Sequence, residues 1–477
     1  MEQPKANRRG RAVAPLCGLI TVAAVLAMYA ALGCAPFGDG SLADTRALSL
    51  LAYYKDVLTG ANSFNFTWSR GLGSSGIDLL AAWLASPFTL LALLFEKSQM
   101  ETCYDLLVAL KLGAAACTCS WYLRRRFPEW QPAAMGSLAV CYGLMGLGLA
   151  ENGAVLLDGT YLLPLVLLGV CRILSGGTCA PLAFALGVST LFQWFGGCVC
   201  CVAAAAAFAV MWTVRRVRNL HEPFRPVPEL WAPLAQLGLS LLLGLGLGMA
   251  LLWPTLCSAS GTSACREWIP AALRWMLIAL LFFGGTGTAR YFIARETSGK
   301  RLIQGLLGIL LAALVVWAPV TAARMDRNGQ TVSQTEEALL RSLAAFDNSL
   351  YRVAVPGSAL AYGVASADVG DVFTDTTQKA LLADLYRDDS DPAADALLGV
   401  KYILSDTDIP GMSPVSGIED ADGLAVYENP DSLPLAFAYS TYAWQEAEDI
   451  RDDLDPLSQV YSRLCGETVS ISTQTSA

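Results

Sequence analysis

The sequence predicts a polytopic α-helical membrane bundle of about nine transmembrane helices, followed by a C-terminal extracytoplasmic α+β domain. Three observations predict it. Of 477 residues, 54% are hydrophobic and only 15% charged, whereas a soluble chain carries about a quarter charged residues. The apolar residues gather into segments of membrane-crossing length. The charges also divide sharply along the chain. Residues 1–322 hold 23 Lys+Arg against 15 Asp+Glu, a net of +8, and residues 323–477 hold 9 against 26, a net of −17. The boundary between the two regions is therefore placed at 322/323.

A helix needs about 20 apolar residues to cross the hydrocarbon core. Segments that meet or approach this are 12–34, 104–122, 132–150, 157–174, 180–195, 196–213, 232–253, 270–286 and 302–322. Gly196 and Gly197, between the fifth and sixth, read as a hairpin. The first segment follows Arg8, Arg9 and Arg11. It lacks a convincing small-x-small cleavage site and reads as a retained anchor rather than a signal peptide.

Charge fixes the orientation. With a cytoplasmic N-terminus, the inner loops carry 16 basic residues, including Arg124–Arg126 and Arg215, Arg216 and Arg218, and the outer stretches carry six. Such a bias is the positive-inside rule. It holds only if residues 78–95, interrupted by Ser86-Pro87, do not cross. They are expected as an interfacial or re-entrant helix on the outer face. Nine crossings then put the acidic domain outside the membrane.

The outer segment 35–103 contains Asp39, Asp44, Asp56 and Asp78 among Tyr53, Tyr54, Trp68 and Trp83, and Asp158 opens the fourth span. Carboxylates beside aromatics at the rim of a bundle suit a site for a sugar carried on a lipid. A carboxylate can take the proton of an acceptor hydroxyl, and it can hold a divalent ion such as Mg or Mn against a donor phosphate. A solvated loop carboxylate is the plainer reading of each. Lys111 lies inside the second span, where a charge is costly and turns to the bundle interior or snorkels to the interface. From the interior it would meet a donor phosphate. Arg70, near Trp68, offers a fork of donors to a phosphate.

Other chemistry is poorly represented. The single histidine, His221, sits between Arg218 and Arg225 in an inner loop. The 14 cysteines show no metal-ligand spacing and behave in spans as small apolar residues; Cys257 and Cys265 are a candidate outer disulfide. Gly244-Leu-Gly246-Leu-Gly248 lies within a span and reads as a close-packing face, not a nucleotide loop. The acidic run Asp388, Asp389, Asp391 and Asp395 reads as a solvated face, since it lacks calcium-loop spacing. In the acidic region, helical spacing over 331–346 and strand-like runs at 351–355, 400–404 and 424–428 give the α+β reading.

Several motifs in fixed order resemble the bacterial YfhO family of multi-pass membrane proteins. They include Phe37-Gly38-Asp39-Gly40-Ser41, Trp68-Ser69-Arg70-Gly71-Leu72-Gly73-Ser74, Leu84-Ala85-Ser86-Pro87-Phe88, Leu110-Lys111-Leu112-Gly113 and Leu157-Asp158. Tyr351-Arg352-Val353 and Val426-Tyr427-Glu428-Asn429-Pro430 continue the series in the acidic region. The resemblance covers roughly 36–260 and 347–440. It implies a GT-C-like glycosyltransferase that moves a sugar from a polyprenyl-phosphate donor to teichoic or lipoteichoic acid, or a related envelope acceptor, in Gram-positive bacteria. It also implies an essential Asp in the first outer loop. Asp39 stands in the better-matched motif and Asp44 second; Arg70, Lys111, Asp158 and Trp68 are the expected substrate-binding residues. The family's Gln-Tyr after the Gly-Asp is missing from Leu42–Ser49, and the chain is short for the family. A noncatalytic assembly or scaffold protein of the envelope, and a lipid or polymer transporter, are the alternatives.

Overall fold

The computed structural model describes residues 13–38, 43, 45–145, 156–218, 227–257, 259–294, 333–367 and 392–435. Contacts gather the chain into two compact units. One comprises Met1–Leu51 and Ile77–Gly329, the other Ala52–Gly76 and Gln330–Ala477. Residues 52–76, part of the long segment between the first two expected spans, thus cluster with the C-terminal residues.

The first unit is helical because its apolar runs leave no other way to satisfy the backbone in lipid. Its helices are α1 (Val13–Leu32), α2 (Thr45–Thr59, which continues into the second unit), α3 (Met100–Arg126), α4 (Pro132–Met145), α5 (Leu157–Leu174), α6 (Ala180–Phe192), α7 (Trp194–Arg218), α8 (Ala232–Cys257) and α9 (Ala259–Ala294). Among the described residues six helical stretches are long and apolar enough to cross a membrane: Val13–Leu32, Lys97–Arg126, Leu157–Leu174, Trp194–Val217, Pro228–Trp253 and Trp268–Thr288. The expected spans at 132–150 and 180–195 form shorter apolar helices, and the one at 302–322 lies outside the described residues. The described residues thus hold six candidate spans, or seven if the bent pair Ile77–Leu84 and Pro87–Leu94 is one span, against the nine expected over the whole chain.

The interrupted stretch near Ser86 is helical on both sides. Ile77–Leu84 and Pro87–Leu94 meet at an angle of 101°, as a re-entrant loop or a broken span. Pro87 cannot donate to the preceding turn, so the helix ends in a π-turn closed by Ala85 N–H on Leu80 O, 2.9 Å. Thr89 Oγ1 donates to Leu84 O at 2.7 Å and stitches the two halves.

The break between α6 and α7 falls at Gln193, not at Gly196-Gly197. Gln193 is extended (φ −159°, ψ 108°), and its side-chain oxygen accepts the Gly196 N–H. That satisfies one of the orphan donors of the first turn of α7. The glycines instead permit close approach. A Cβ on Gly197 would sit 2.4 Å from Thr190 Cα.

Gly244 and Gly248 of α8 face α6 as expected for a packing stripe. A Cβ on Gly244 would lie 2.6 Å from Leu186 Cβ, and one on Gly248 2.4 Å from Thr190 Oγ1. The closeness lets Thr190 Oγ1 donate to Gly244 O at 3.1 Å. Gly246, on the opposite face, meets nothing.

The second unit carries a four-stranded sheet in the order β1-β2-β4-β3, with β1 Arg352–Ala354, β2 Val400–Ser405, β3 Ser413–Pro414 and β4 Ala425–Glu428. β1 and β2 are parallel; β2 with β4 and β3 with β4 are antiparallel. The three expected strands are present, and β3 is added. Helix α10 (Gln334–Phe346) lays Leu339, Leu340 and Leu343 on Val353, Tyr402, Leu404 and Val426. Ser333 caps it by accepting the Glu336 N–H, at 3.4 Å, the Ser-x-x-Glu pattern of a helix start. Each buried leucine is worth about 2 kcal/mol.

Candidate functional site

The first unit holds a buried polar cluster where three segments meet. Lys111 lies about three turns into α3 counted from Met100. Asp158 is in the first turn of α5. Ser86 is at the bend between the two short helices. Lys111 Nζ sits 2.5 Å from Asp158 Oδ2, with both side chains 3% exposed. The other carboxylate oxygen, Oδ1, accepts Ser86 Oγ–H at 2.7 Å and Tyr161 O–H at 2.8 Å. Tyr161 follows Asp158 by one helical turn, and its ring packs edge-on to Phe88 just after the bend, centroids 5.5 Å apart. The carboxylate is thus held by one cation and two hydroxyls from three segments. A buried ion pair is tolerable only with such extra hydrogen bonds.

A small cavity of about 30 Å³ opens beside the cluster, room for a water or two. Lys111, Asp158, Gln193 and Trp83 line it with Tyr104, Leu107, Leu50 and Leu51. Trp83 is set against Trp268 of α9 (6.3 Å between centroids), and Trp268 also packs on Trp194 and Phe195. Gly159 makes room for another ring of α9: a Cβ there would lie 2.6 Å from the Trp275 ring.

Two buried donors on residues that line the cavity are unpaired among the described residues. Gln193 is 2% exposed, and its Nε2 has no partner, because Oε1 is turned to the Gly196 N–H. Trp83 Nε1 is buried and also without a partner. A buried donor left unmade costs about 1–3 kcal/mol.

Of the residues expected to bind substrate, Lys111 and Asp158 come together. Lys111 neither snorkels nor stands alone; it is spent on Asp158. Arg70 and Trp68 belong to the second unit. Arg70 is 3% exposed and donates from Nη1 to Ser75 O at 2.6 Å, within its own loop. Trp68 is 38% exposed, edge-on to Phe66, with the Arg352 guanidinium 5.9 Å from its centroid. Asp39 and Asp44 lie outside the described residues, as do His221, Asp388, Asp389 and Asp391. The side chains of Cys257 and Cys265 are likewise outside them.

Ser86, Tyr161, Gln193 and Trp83 were not singled out as partners. Ser86 had a signal in the helix-breaking Ser-Pro pair, and Gln193 in being polar within an apolar run. Tyr161 shows only as a residue one turn beyond Asp158.

Residues 19–266 match the family described as bacterial membrane protein YfhO. That is just over half of the 477-residue chain. The chain belongs to the YfhO family. No curated protein and no solved structure matches it. The matched region contains the whole Lys111–Asp158–Ser86–Tyr161 cluster and Gln193. In this YfhO chain, therefore, the buried polar centre is built inside the part that matches the family.

A divalent cation was among the expectations for these carboxylates. Asp158 does not suit one, because an ammonium occupies one oxygen and two hydroxyl donors the other. Among the described residues no three His, Cys, Asp or Glu side chains gather in a metal-binding group.

Proposed function

We propose that this YfhO-family chain is a membrane glycosyltransferase. It moves a sugar from a polyprenyl-phosphate donor to a teichoic or lipoteichoic acid, or a related polymer of the cell envelope, on the outer face. In this reading the N-terminus is cytoplasmic and the acidic C-terminal region extracytoplasmic, which is supported by the bias of basic residues toward alternate loops.

The observation that carries the reading is the cavity beside Lys111 and Asp158. A polar pocket with a buried ion pair is expensive inside an apolar bundle, and such groups in membranes mark binding sites and pathways. A scaffold would gain nothing from it. A transporter would need charges on both sides of the midplane, but α3 carries none from Leu112 to Leu123. Polar chemistry entering from one end is what a lipid-linked donor needs.

The reaction in this reading is a displacement. The acceptor hydroxyl oxygen attacks the anomeric carbon, the bond from that carbon to the phosphate oxygen breaks, and polyprenyl phosphate leaves with the electron pair. Asp39, or Asp44, takes the acceptor proton. General-base assistance of this kind is worth about 10²–10⁴ in rate.

Purified full-length protein supplied with labelled polyprenyl-phosphate sugar and a teichoic-type acceptor tests this. Label passes to the acceptor with the parent, and Asp39→Asn or Asp44→Asn lowers transfer by at least about 100-fold. Transfer by both variants at the parental rate overturns the assignment of the base; no transfer by the parent overturns the function.

A further inference from the structure

The geometry points to Gln193 and Trp83 as a hydroxyl-binding subsite that takes the neutral sugar of a lipid-linked donor, and not its phosphate. The inference rests on the glycosyltransferase reading for the donor's class, but its chemistry comes from the cavity itself.

Lys111 is the cation that a phosphate would be expected to seek. Its ammonium is already matched by the Asp158 carboxylate at 2.5 Å, out of solvent. The pair presents no net charge to the cavity. A phosphate entering there would bring its negative charge against Asp158, and its desolvation would go uncompensated. Lys111 and Asp158 do something else: they fix the position of the bend. Ser86 hangs from Asp158 Oδ1, and Trp83 lies three residues before it, in the helix that ends at the bend.

What remains to meet a ligand is neutral. Gln193 Nε2 and Trp83 Nε1 are buried donors with no partner, on residues that line one cavity. The Gln193 orientation is set from outside the cavity, because its Oε1 accepts the Gly196 N–H at the start of α7. Two unmatched donors call for oxygen acceptors, and the Asp158 carboxylate that lines the same cavity favours neutral ones over anionic ones. Aromatic and aliphatic walls, here Trp83, Leu50 and Leu51, accept the C–H faces between hydroxyls. A sugar offers both. At about 30 Å³ the cavity has room for a hydroxyl or two.

Discrimination follows from the donors left unmade. A site that hydrogen-bonds a hydroxyl rejects an analogue lacking it far more strongly than an apolar pocket rejects an added group.

The test uses full-length protein in lipid nanodiscs, with decyl glucoside and decyl phosphate as probes, and tryptophan fluorescence as the binding signal. The parent binds the glucoside more tightly than the phosphate. Trp83→Phe, which removes the N–H and keeps a ring, and Gln193→Glu, which keeps the acceptor for Gly196 and removes the amide donors, each weaken glucoside binding about 10-fold. Gln193→Leu is the third variant, read together with its thermal unfolding. Because Trp83→Phe dims the signal, its binding is also followed by competition with labelled glucoside. Glucoside affinity unchanged in all three variants overturns the inference. So does binding of neither probe by the parent, which leaves the cavity to water, and so does preferential phosphate binding that Lys111→Met abolishes. The measurement needs no turnover. Variants that lose glucoside binding in a chain that transfers no sugar uphold the subsite and remove the function; transfer with glucoside binding unchanged does the reverse.

Discussion

Lys111 Nζ and Asp158 Oδ2 lie 2.5 Å apart across two helices, and neither side chain reaches the surface. With Ser86 and Tyr161 on the other carboxylate oxygen, the pair ties α3, α5 and the bent segment together. Removing one partner strands a buried charge, at about 3–5 kcal/mol. Lys111→Met and Asp158→Asn should therefore each lower the unfolding temperature of the purified protein by several degrees. The double variant should lose less than the sum of the two, because it strands no charge. Additive losses would show that the two side chains do not depend on one another.

Ser86 makes a narrower prediction. Ser86→Ala removes one hydroxyl from Asp158 but leaves the ion pair and the Pro87 break, for a cost of about 1 kcal/mol. The bend itself should survive, since Thr89 Oγ1 still bonds Leu84 O. Amide exchange over 84–94 should rise modestly in Ser86→Ala and strongly in Asp158→Asn. Equal protection in the two variants would detach the bend from the carboxylate.

The glycines of α8 separate packing from composition. Gly244 and Gly248 have no room for a Cβ against α6, whereas Gly246 meets nothing. Gly248→Leu should cost about 1–3 kcal/mol by overpacking, and Gly246→Leu should be tolerated. Thermal unfolding of the two purified variants decides it, and equal stability would deny the close approach at Thr190.

How much of this was legible beforehand follows from the range of each interaction. Helices and strands show in local periodicity, so α10, β1, β2 and β4 fell where alternation and helical spacing put them. The Gly244–Gly248 stripe was legible for the same reason. Lys111 and Asp158 were each visible as misplaced charges, but their pairing spans 47 positions of sequence, and nothing local encodes it. The break at Gln193 was hidden for a different reason. Glycines were read as the turn, while the turn is made by a side chain capping the next helix. The segments 132–150 and 180–195 are helical and apolar as expected, but over the described residues they form helices Pro132–Met145 and Ala180–Phe192, shorter than a full crossing.

The sheet carries a pH-dependent contact. Lys401 Nζ donates to Asp347 Oδ2 at 2.7 Å, and Tyr402 O–H and the Ser349 N–H add to the same carboxylate. The Lys401 hydrogen bond foremost holds the Asp347 carboxyl well below the usual range. In turn Asp347 raises Lys401 above its own ordinary value. The contribution of Asp347 is complete above the unfolded carboxylate value of about 4, and it is lost as pH falls toward the depressed folded value. That of Lys401 is complete below the unfolded lysine value and is lost as pH rises through the raised one. Asp347→Asn should cost about 1 kcal/mol at neutral pH, as a partly exposed pair does. It should also flatten the fall in unfolding temperature below about pH 4. A parallel curve for variant and parent would remove the pair from the acid response.

Arg352 joins the loop of residues 66–74 to the sheet within the second unit. From the edge strand β1 it donates to Leu398 O and, at 3.4 Å, to Leu72 O, with its guanidinium 5.9 Å from the Trp68 centroid. Ser366 N–H adds a bond to Trp68 O at 3.2 Å. The planar fork reaches two carbonyls and a ring at once, which an ammonium cannot do. Arg352→Lys should therefore behave much like Arg352→Met, each loosening residues 66–74 by about 1–3 kcal/mol. Deuterium exchange on the full-length protein reads this directly. Faster exchange at Thr67 and Ser74, whose backbones pair with each other, should accompany faster exchange at Ser366. Protection kept in the lysine variant would mean that charge alone holds the loop, and that the shape of the guanidinium is immaterial.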